Sequence, residues 1–270
     1  MKITVLANRD LAACVALNHL LPELLPDHEV QCILSSRVGG SGERPEPLRQ
    51  LAFFEQTLFT DLLFPLLETN DAIGSGQWLS FSGLAQQCGQ PLLTMNKINR
   101  GEDLQVFSAT SPDLVISIRY GVILRAPVIS RPRYGVLNLH SGLLPEYRGV
   151  MASFWAMLAG AERIGTTLHF IADEGIDTGP IVSTSSMPLQ QNQSYLWHVL
   201  ALYEQGCRDI LDAVKLIASG AALSTSEQPV GAGRYFGFPD QGALDRFFNA
   251  GYSLVDYDHI THLMRRFTHS

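Results

Sequence analysis

Cysteine is scarce, charge is thin and no apolar run is long, and each shortage narrows the class of protein. The four cysteines, Cys14, Cys32, Cys88 and Cys207, are scattered without a CxxC pair, which argues against a disulfide framework and reads as buried free thiols of a cytoplasmic protein. Charged residues make up only 17% of the 270, and 26 acidic against 19 basic side chains leave a net charge of -7. A surface that grips phosphate backbones needs clustered Lys and Arg, so no nucleic-acid partner is expected. No uninterrupted apolar stretch reaches the length of a membrane span, and no membrane association is expected. The N-terminus opens directly on a strand-like run, residues 2–7, without the basic, apolar and small-residue layout of a signal peptide.

What remains is a globular chain, 46% hydrophobic, long enough to bury a substantial core. Strand-like runs (2–7, 30–35, 92–95, 114–118, 135–139 and 166–171) alternate with helix-like ones (11–25, 150–158 and 195–219), the βαβ rhythm of a parallel sheet. A Gly- and Pro-rich break at 39–47 precedes an apolar-periodic stretch over 48–67, predicted to be helical and interrupted near Pro65. Within that break, GGSG at 39–42 lacks the lysine and spacing of a phosphate loop and is predicted to be a flexible turn. The expected fold is α/β, a Rossmann-like and mostly parallel sheet with helices on both faces. A main domain over 1–220 would be followed by a small extension over 221–270, with helices at 241–249 and 258–267. His259 and His262 sit three apart on the last of these. With no Cys or carboxylate cluster beside them they read as a surface pair, and no metal is expected.

The chemistry-bearing residues gather after the apolar run 134–137. Asn138 and His140 alternate along the end of a buried strand, so both side chains face the same way. Open α/β sheets bind ligands in the crevice at the carboxyl ends of their strands, which makes that end a plausible catalytic address. The loop that follows, 141–149, is rich in small residues and holds Pro145, and a carboxylate, Asp177, lies in the DEGIDTGPI run that begins at Asp173. Taken singly, Asn138 could merely cap a strand and His140 could be a satisfied buried histidine.

Together, Asn138 and His140, then Leu143, Leu144 and Pro145, then Gly165, Thr167 and His169, then Asp177, Gly179 and Ile181 resemble the 10-formyltetrahydrofolate-dependent formyltransferases. Those enzymes show Asn-x-His, a Leu-Leu-Pro loop, a Gly-x-Thr-x-His strand and an Asp-x-Gly-x-Ile segment in this order. The likeness covers residues 111–187. It departs at Gly142, where the family usually has Ser and a looser turn is expected here, and between His169 and Asp177, where the segment is one residue longer. Asp173 is the competing choice for the carboxylate.

The resemblance implies that Asn138, His140 and Asp177 are catalytic and that 10-formyltetrahydrofolate is the formyl donor. It implies that the folate lies among Tyr120, Gly121, Val122, Ile123 and Leu124, then Gly142, Leu143, Leu144 and Pro145, and then Ala172, Asp173, Glu174 and Gly175. Charge developing on the formyl oxygen needs a donor, which Asn138 and His140 can supply, and the amine's proton needs a carboxylate such as Asp177. His169 would shape the folate loop or simply be a buried hydrogen-bonding residue. The expected partners are reduced folate and a small-molecule amine: an amino sugar, a modified amino acid or a hydroxyornithine. Three features favour a small acceptor. The extension is short for an RNA-contacting domain, no regulatory domain precedes the first strand, and ANRD after that strand is unlike the glycine-rich loop of glycinamide ribonucleotide transformylase. Methionyl-tRNA formylation is the alternative enzyme, and a non-catalytic folate-binding protein is the alternative of another class.

Overall fold

The computed structural model describes residues 1–36, 43–69, 76–229 and 231–268. β1 (Lys2–Asn8) is buried from Ile3 onward and feeds α1 (Leu11–Leu24), whose N-cap Asp10 accepts the Ala13 N–H at 2.8 Å. After β2 (Glu29–Ser35), α2 (Glu46–Ala52) continues through a π-helical run, Phe53–Leu63, into α3 (Phe64–Thr69). The expected break near Pro65 is therefore absent. Phe64 N–H reaches back to Phe59 O in the wider register, and the proline follows where that register gives way to an ordinary helix, so the chain passes through its missing N–H without stopping. The predicted GGSG turn lies outside the described residues.

Next come α4 (Phe81–Cys88), β3 (Leu93–Thr94), α5 (Gly101–Thr110), β4 (Leu114–Ile118), α6 (Ala126–Ile129) and β5 (Val136–His140). They are followed by β6 (Tyr147–Gly149), α7 (Ala152–Leu158), β7 (Arg163–Phe170), β8 (Ile181–Pro188) and α8 (Tyr195–Ala218). The last elements are β9 (Arg234–Phe236), α9 (Gln241–Asn249) and α10 (Tyr257–Phe267). Seven strands form one sheet in the order β3-β2-β1-β4-β5-β7-β8, parallel from β3 to β5 and antiparallel across β5–β7 and β7–β8. The strand order reverses between β1 and β4, the switch point of a doubly wound sheet. Among the described residues no helix is long and apolar enough to cross a membrane.

Alternation along the strands sorts the core into two layers. Val5, Ile116, Leu137 and Leu139 face the side packed by α1 and α8, whereas Leu6, Ile33, Val115 and Val136 pack with Phe107 of α5 and Val128 of α6. Each such burial contributes about 1.5–3 kcal/mol, which pins the register, because a slip of one residue would turn every side chain over. Asn138 and His140, two and four residues beyond Val136, are thereby held on the second face.

A buried polar network ties the loop after β4 to the ends of β1 and β2. Arg119, at a left-handed φ of 58°, turns its side chain to Asp10, with Nε donating to Oδ2 at 3.1 Å. Asn8 Nδ2 donates to the same oxygen at 2.7 Å, and Ser35 Oγ donates to Asn8 Oδ1 while accepting Gly121 N–H at 2.8 Å. Glu55, on the π-helical run, lies 3.6 Å from Arg119 Nη2, yet its Oε1 accepts no hydrogen bond. Burial pushes its carboxyl up to about 7 despite the pull of Arg119, and Asp10 adds to the rise.

The segment beyond residue 220 is stitched across the molecule. Ser226 bridges to Ile181, β9 pairs in parallel with β6, and Phe247 of α9 stacks on Phe154 of α7 at 4.4 Å. Phe267 of α10 packs against Phe59, Phe64 and Trp78, beside a Trp78 N–H···O bond to Arg266 at 2.8 Å.

Candidate active site

At the end of β5 the structure brings Asn138, His140 and Asp177 together and adds His169 of β7, which is in register with Asn138. His140 Nε2 lies 2.7 Å from the carbonyl of Tyr147, an atom that can only accept, so this nitrogen carries the proton. Its Nδ1 then faces Asp177 Oδ2 at 3.5 Å. His169 Nδ1 bonds the carbonyl of Phe170 at 2.9 Å, and its Nε2 lies 3.0 Å from Asn138 Nδ2 and 3.5 Å from Asp177 Oδ1. That nitrogen either takes a proton from the amide or gives one to the carboxylate.

Asp177 is placed by its backbone, with φ at 56°, a left-handed conformation uncommon outside glycine, and by Gly149 N–H, which donates to Oδ2 at 2.8 Å. Burial alone would raise its carboxyl, but His140, then His169, then the Gly149 N–H outweigh it and hold the group down to about 2. The carboxylate is ionised at any working pH. Asp173 is exposed and spends Oδ1 on the Gly175 N–H at 2.7 Å, away from the imidazoles. The structure thus brings Asp177, and not Asp173, to the two imidazoles.

Gly142 is packed rather than loose. A Cβ there would stand 2.7 Å from His140 Nε2 and 2.5 Å from the Ala152 Cβ, so the missing side chain is what lets the imidazole reach Tyr147. The expected loosening is overturned by that close approach. Leu144, by contrast, is buried, and its N–H donates to Thr167 Oγ1 at 3.0 Å, while the Thr167 hydroxyl donates to Gly142 O at 2.7 Å.

The other expected folate residues divide. Ile123 is 56% exposed on a loop held by Asn99, whose Nδ2 donates to Ile123 O and whose Oδ1 accepts Arg125 N–H. Leu124 is core, Tyr120 and Val122 pack on the second core layer, and the Tyr120 hydroxyl donates to Met95 O at 2.6 Å. Ala172, Asp173, Glu174 and Gly175 are exposed. Because β7 is antiparallel, they leave the sheet beside the start of β5 and not at a carboxyl end, and the chain folds back over the sheet face to deliver Asp177. Glu174 still meets the loop after β4, 3.9 Å from Arg125.

Sequence reasoning missed the Tyr147 carbonyl and the Gly149 N–H, both backbone atoms. It also missed Gln228, whose Nε2 donates to the carbonyls of Asp177 and Gly179 at 3.0 and 2.8 Å.

An α/β sheet with an amide, two imidazoles and an ionised carboxylate at the end of one strand defines a site for proton-coupled chemistry. The formyl transferase family model matches residues 68–196, and over that segment the chain is similar to this family. Over 99 residues it is 38% identical to a methionyl-tRNA formyltransferase of Thermodesulfovibrio yellowstonii, covering 37% of this chain and 32% of that one. It spans less than half the length of the curated relatives it matches. Two solved structures share the fold. One is an N-formyltransferase of Helicobacter canadensis in complex with folinic acid and dTDP-3-aminofucose (TM-score 0.54, 18% identity, 87% of this chain and 71% of that one). The other is glycinamide ribonucleotide transformylase 1 of Symbiobacterium toebii (TM-score 0.56, 19% identity, 85% and 94%).

Proposed function

We propose that the protein is a cytoplasmic N-formyltransferase that moves a formyl group from 10-formyltetrahydrofolate to the amine of a small-molecule acceptor. Asn138, His140 and Asp177 would be catalytic. The observation that carries this reading is the meeting of Asp177 with His140 while Asn138 keeps one amide N–H uncommitted. Exposed Ile123, on an anchored loop after β4, the strand that pairs with β5, fits the flat ring of a reduced folate. The segments 120–124, 142–145 and 172–175 would hold it, with residues 1–220 as the catalytic domain and 221–270 as an extension that braces the site. The donor, when bound, supplies a formyl carbon to which the acceptor nitrogen bonds as the bond to the folate nitrogen breaks, with negative charge rising on the formyl oxygen.

The chain's own groups answer each need. Asn138 has two amide protons, and the one not directed at His169 serves as donor to the charged oxygen. His140 keeps Nε2–H on Tyr147 O and takes a proton at Nδ1, where Asp177 pairs with the imidazolium that results. Proton transfer along this pair takes up the amine's proton and returns it to the departing nitrogen, and no covalent enzyme adduct is needed.

A second reading, formylation of methionyl-tRNA, is favoured by the named relative, whereas the net charge of -7 favours a small acceptor. The test is calorimetric titration with 5-formyltetrahydrofolate, expected to bind one to one, followed by turnover of 10-formyltetrahydrofolate with amino sugars, amino acids and initiator methionyl-tRNA. No folate binding by folded protein refutes the proposal. Efficient, salt-sensitive formylation of the tRNA alone replaces it with the second reading.

A further inference from the structure

Among the described residues, Arg148 is a cation without a counterion beside the site. It stands on β6 between Tyr147, whose carbonyl binds His140, and Gly149, whose N–H binds Asp177. Its side chain is half-buried and enters no hydrogen bond or ion pair among the described residues, and its Nε is sealed from solvent with no acceptor there. A buried donor left this way is costly, and it calls for an explanation, of which a bound anion is one. Asp177 does not complete it, since the groups that hold that carboxyl down are the two imidazoles and Gly149.

The neighbour across the β6–β9 ladder is Tyr235, in register with Arg148 and 51% exposed. Its ring lies against Gly149, where a Cβ would be 2.8 Å from Tyr235 Cε2. β9 is firmly seated, because Phe236 stacks between Tyr147 at 5.8 Å and Trp155 at 5.0 Å, and Trp155 Nε1 donates to Gly237 O at 3.0 Å. An open aromatic ring and an unpaired guanidinium are thus presented by a rigid ladder one residue from the Asp177 contact.

We propose that Arg148 and Tyr235 form the acceptor subsite, and that the acceptor is an amine that also carries an anionic group, phosphate or carboxylate, held by Arg148 while Tyr235 covers the body of the molecule. This rests on the N-formyltransferase reading. Guanidinium suits either anion through paired N–H bonds, and the aromatic ring supplies contact area without selecting a charge.

Two measurements separate this inference from the reading beneath it. Inorganic pyrophosphate, titrated without folate, should bind the wild-type protein and bind Arg148→Gln at least 10-fold more weakly, with Arg148→Lys between them. With 10-formyltetrahydrofolate present, glucosamine 6-phosphate or ornithine should show a kcat/KM at least 10-fold above that of glucosamine. Arg148→Gln should erase that preference through KM, and the preferred amine identifies the anion. Tyr235→Ala should raise the same KM and Tyr235→Phe restore it, while 5-formyltetrahydrofolate affinity stays within twofold throughout, as a check that each variant is folded. Equal pyrophosphate binding by wild type and Arg148→Gln, or no preference for a charged amine, overturns the subsite. Pyrophosphate binding that depends on Arg148, with no turnover of any amine, upholds the anion site and refutes the transferase.

Discussion

At the end of β5, Asp177 is ionised against two imidazoles, and at the ends of β1 and β4, Asp10 and Glu55 share one guanidinium, that of Arg119. Both groups are buried, both hold carboxylate, and each contains a residue at a left-handed φ, Asp177 at 56° and Arg119 at 58°. They differ in what the partner can do. An imidazole gains and loses a proton near neutral pH, whereas a guanidinium keeps its charge, so the carboxylate's partner can carry a proton in the first group and cannot in the second. The second is a joint that fastens the loop of Ile123 to the sheet. Buried charge by itself therefore does not mark the chemistry; a partner able to exchange a proton does.

The comparison breaks most sharply at Arg119. Arg119→Leu would strand Asp10 and Glu55 in the interior, and loss of one partner from a buried ion pair costs about 3–5 kcal/mol. Urea unfolding should register that loss, and wild-type stability would show that the joint carries no weight. Asp177→Asn and His140→Ala should instead lower kcat by roughly 100-fold or more while 5-formyltetrahydrofolate affinity hardly moves. Asp173→Asn is expected to be silent in the same assay. If Asp173 and Asp177 exchange these outcomes, the carboxylate assignment is wrong.

A subtler break goes through Gly142. Gly142→Ser installs the serine that the resemblance implies there, but its Cβ would push the imidazole off Tyr147 O, and kcat should fall by roughly 10- to 100-fold for a displacement near 1 Å. Unchanged kcat would show that His140 has room to spare.

The smallest effect separates the two groups by the sign of their pH dependence. Glu55, raised from 4.5 to about 7, binds its proton more tightly in the folded protein, so stability is lost as pH climbs through that window. Asp177, lowered from 3.8 to about 2, contributes stability above that range and loses it as pH falls through it. Glu55→Gln should flatten the loss between 4.5 and 7 and stabilise the protein at pH 8 by on the order of 1 kcal/mol, read by thermal unfolding. A variant with the wild-type slope would exclude Glu55 as its source.

Much of this could be read from the chain itself, for reasons that also explain what could not. The order of strands and helices was legible because β1, β2, β4 and β5 are nearly continuous apolar runs bounded by turns. Asn138 and His140 were legible because alternation fixes their common face. β8, IVSTSS over residues 181–186 with small hydroxyl side chains at Ser183, Thr184, Ser185 and Ser186, carries too little apolar pattern to announce an edge strand. The choice of Asp177 over Asp173 depended on a left-handed turn that neither residue type advertises. Arg148 and Tyr235 became neighbours only through pairing of β6 with a strand far along the chain, and no local periodicity encodes that register.

The stitching of Ser226, Gln228 and β9 onto β8, the Asp177 turn and β6 also sets an order of events during synthesis. A nascent chain released as far as α8 already contains every strand of the large sheet and all four polar groups of the site. Yet the carbonyls of Asp177 and Gly179 then lack the Gln228 amide, and β6 has an open edge until β9 leaves the ribosome. The sheet can close early, but the pocket is finished late.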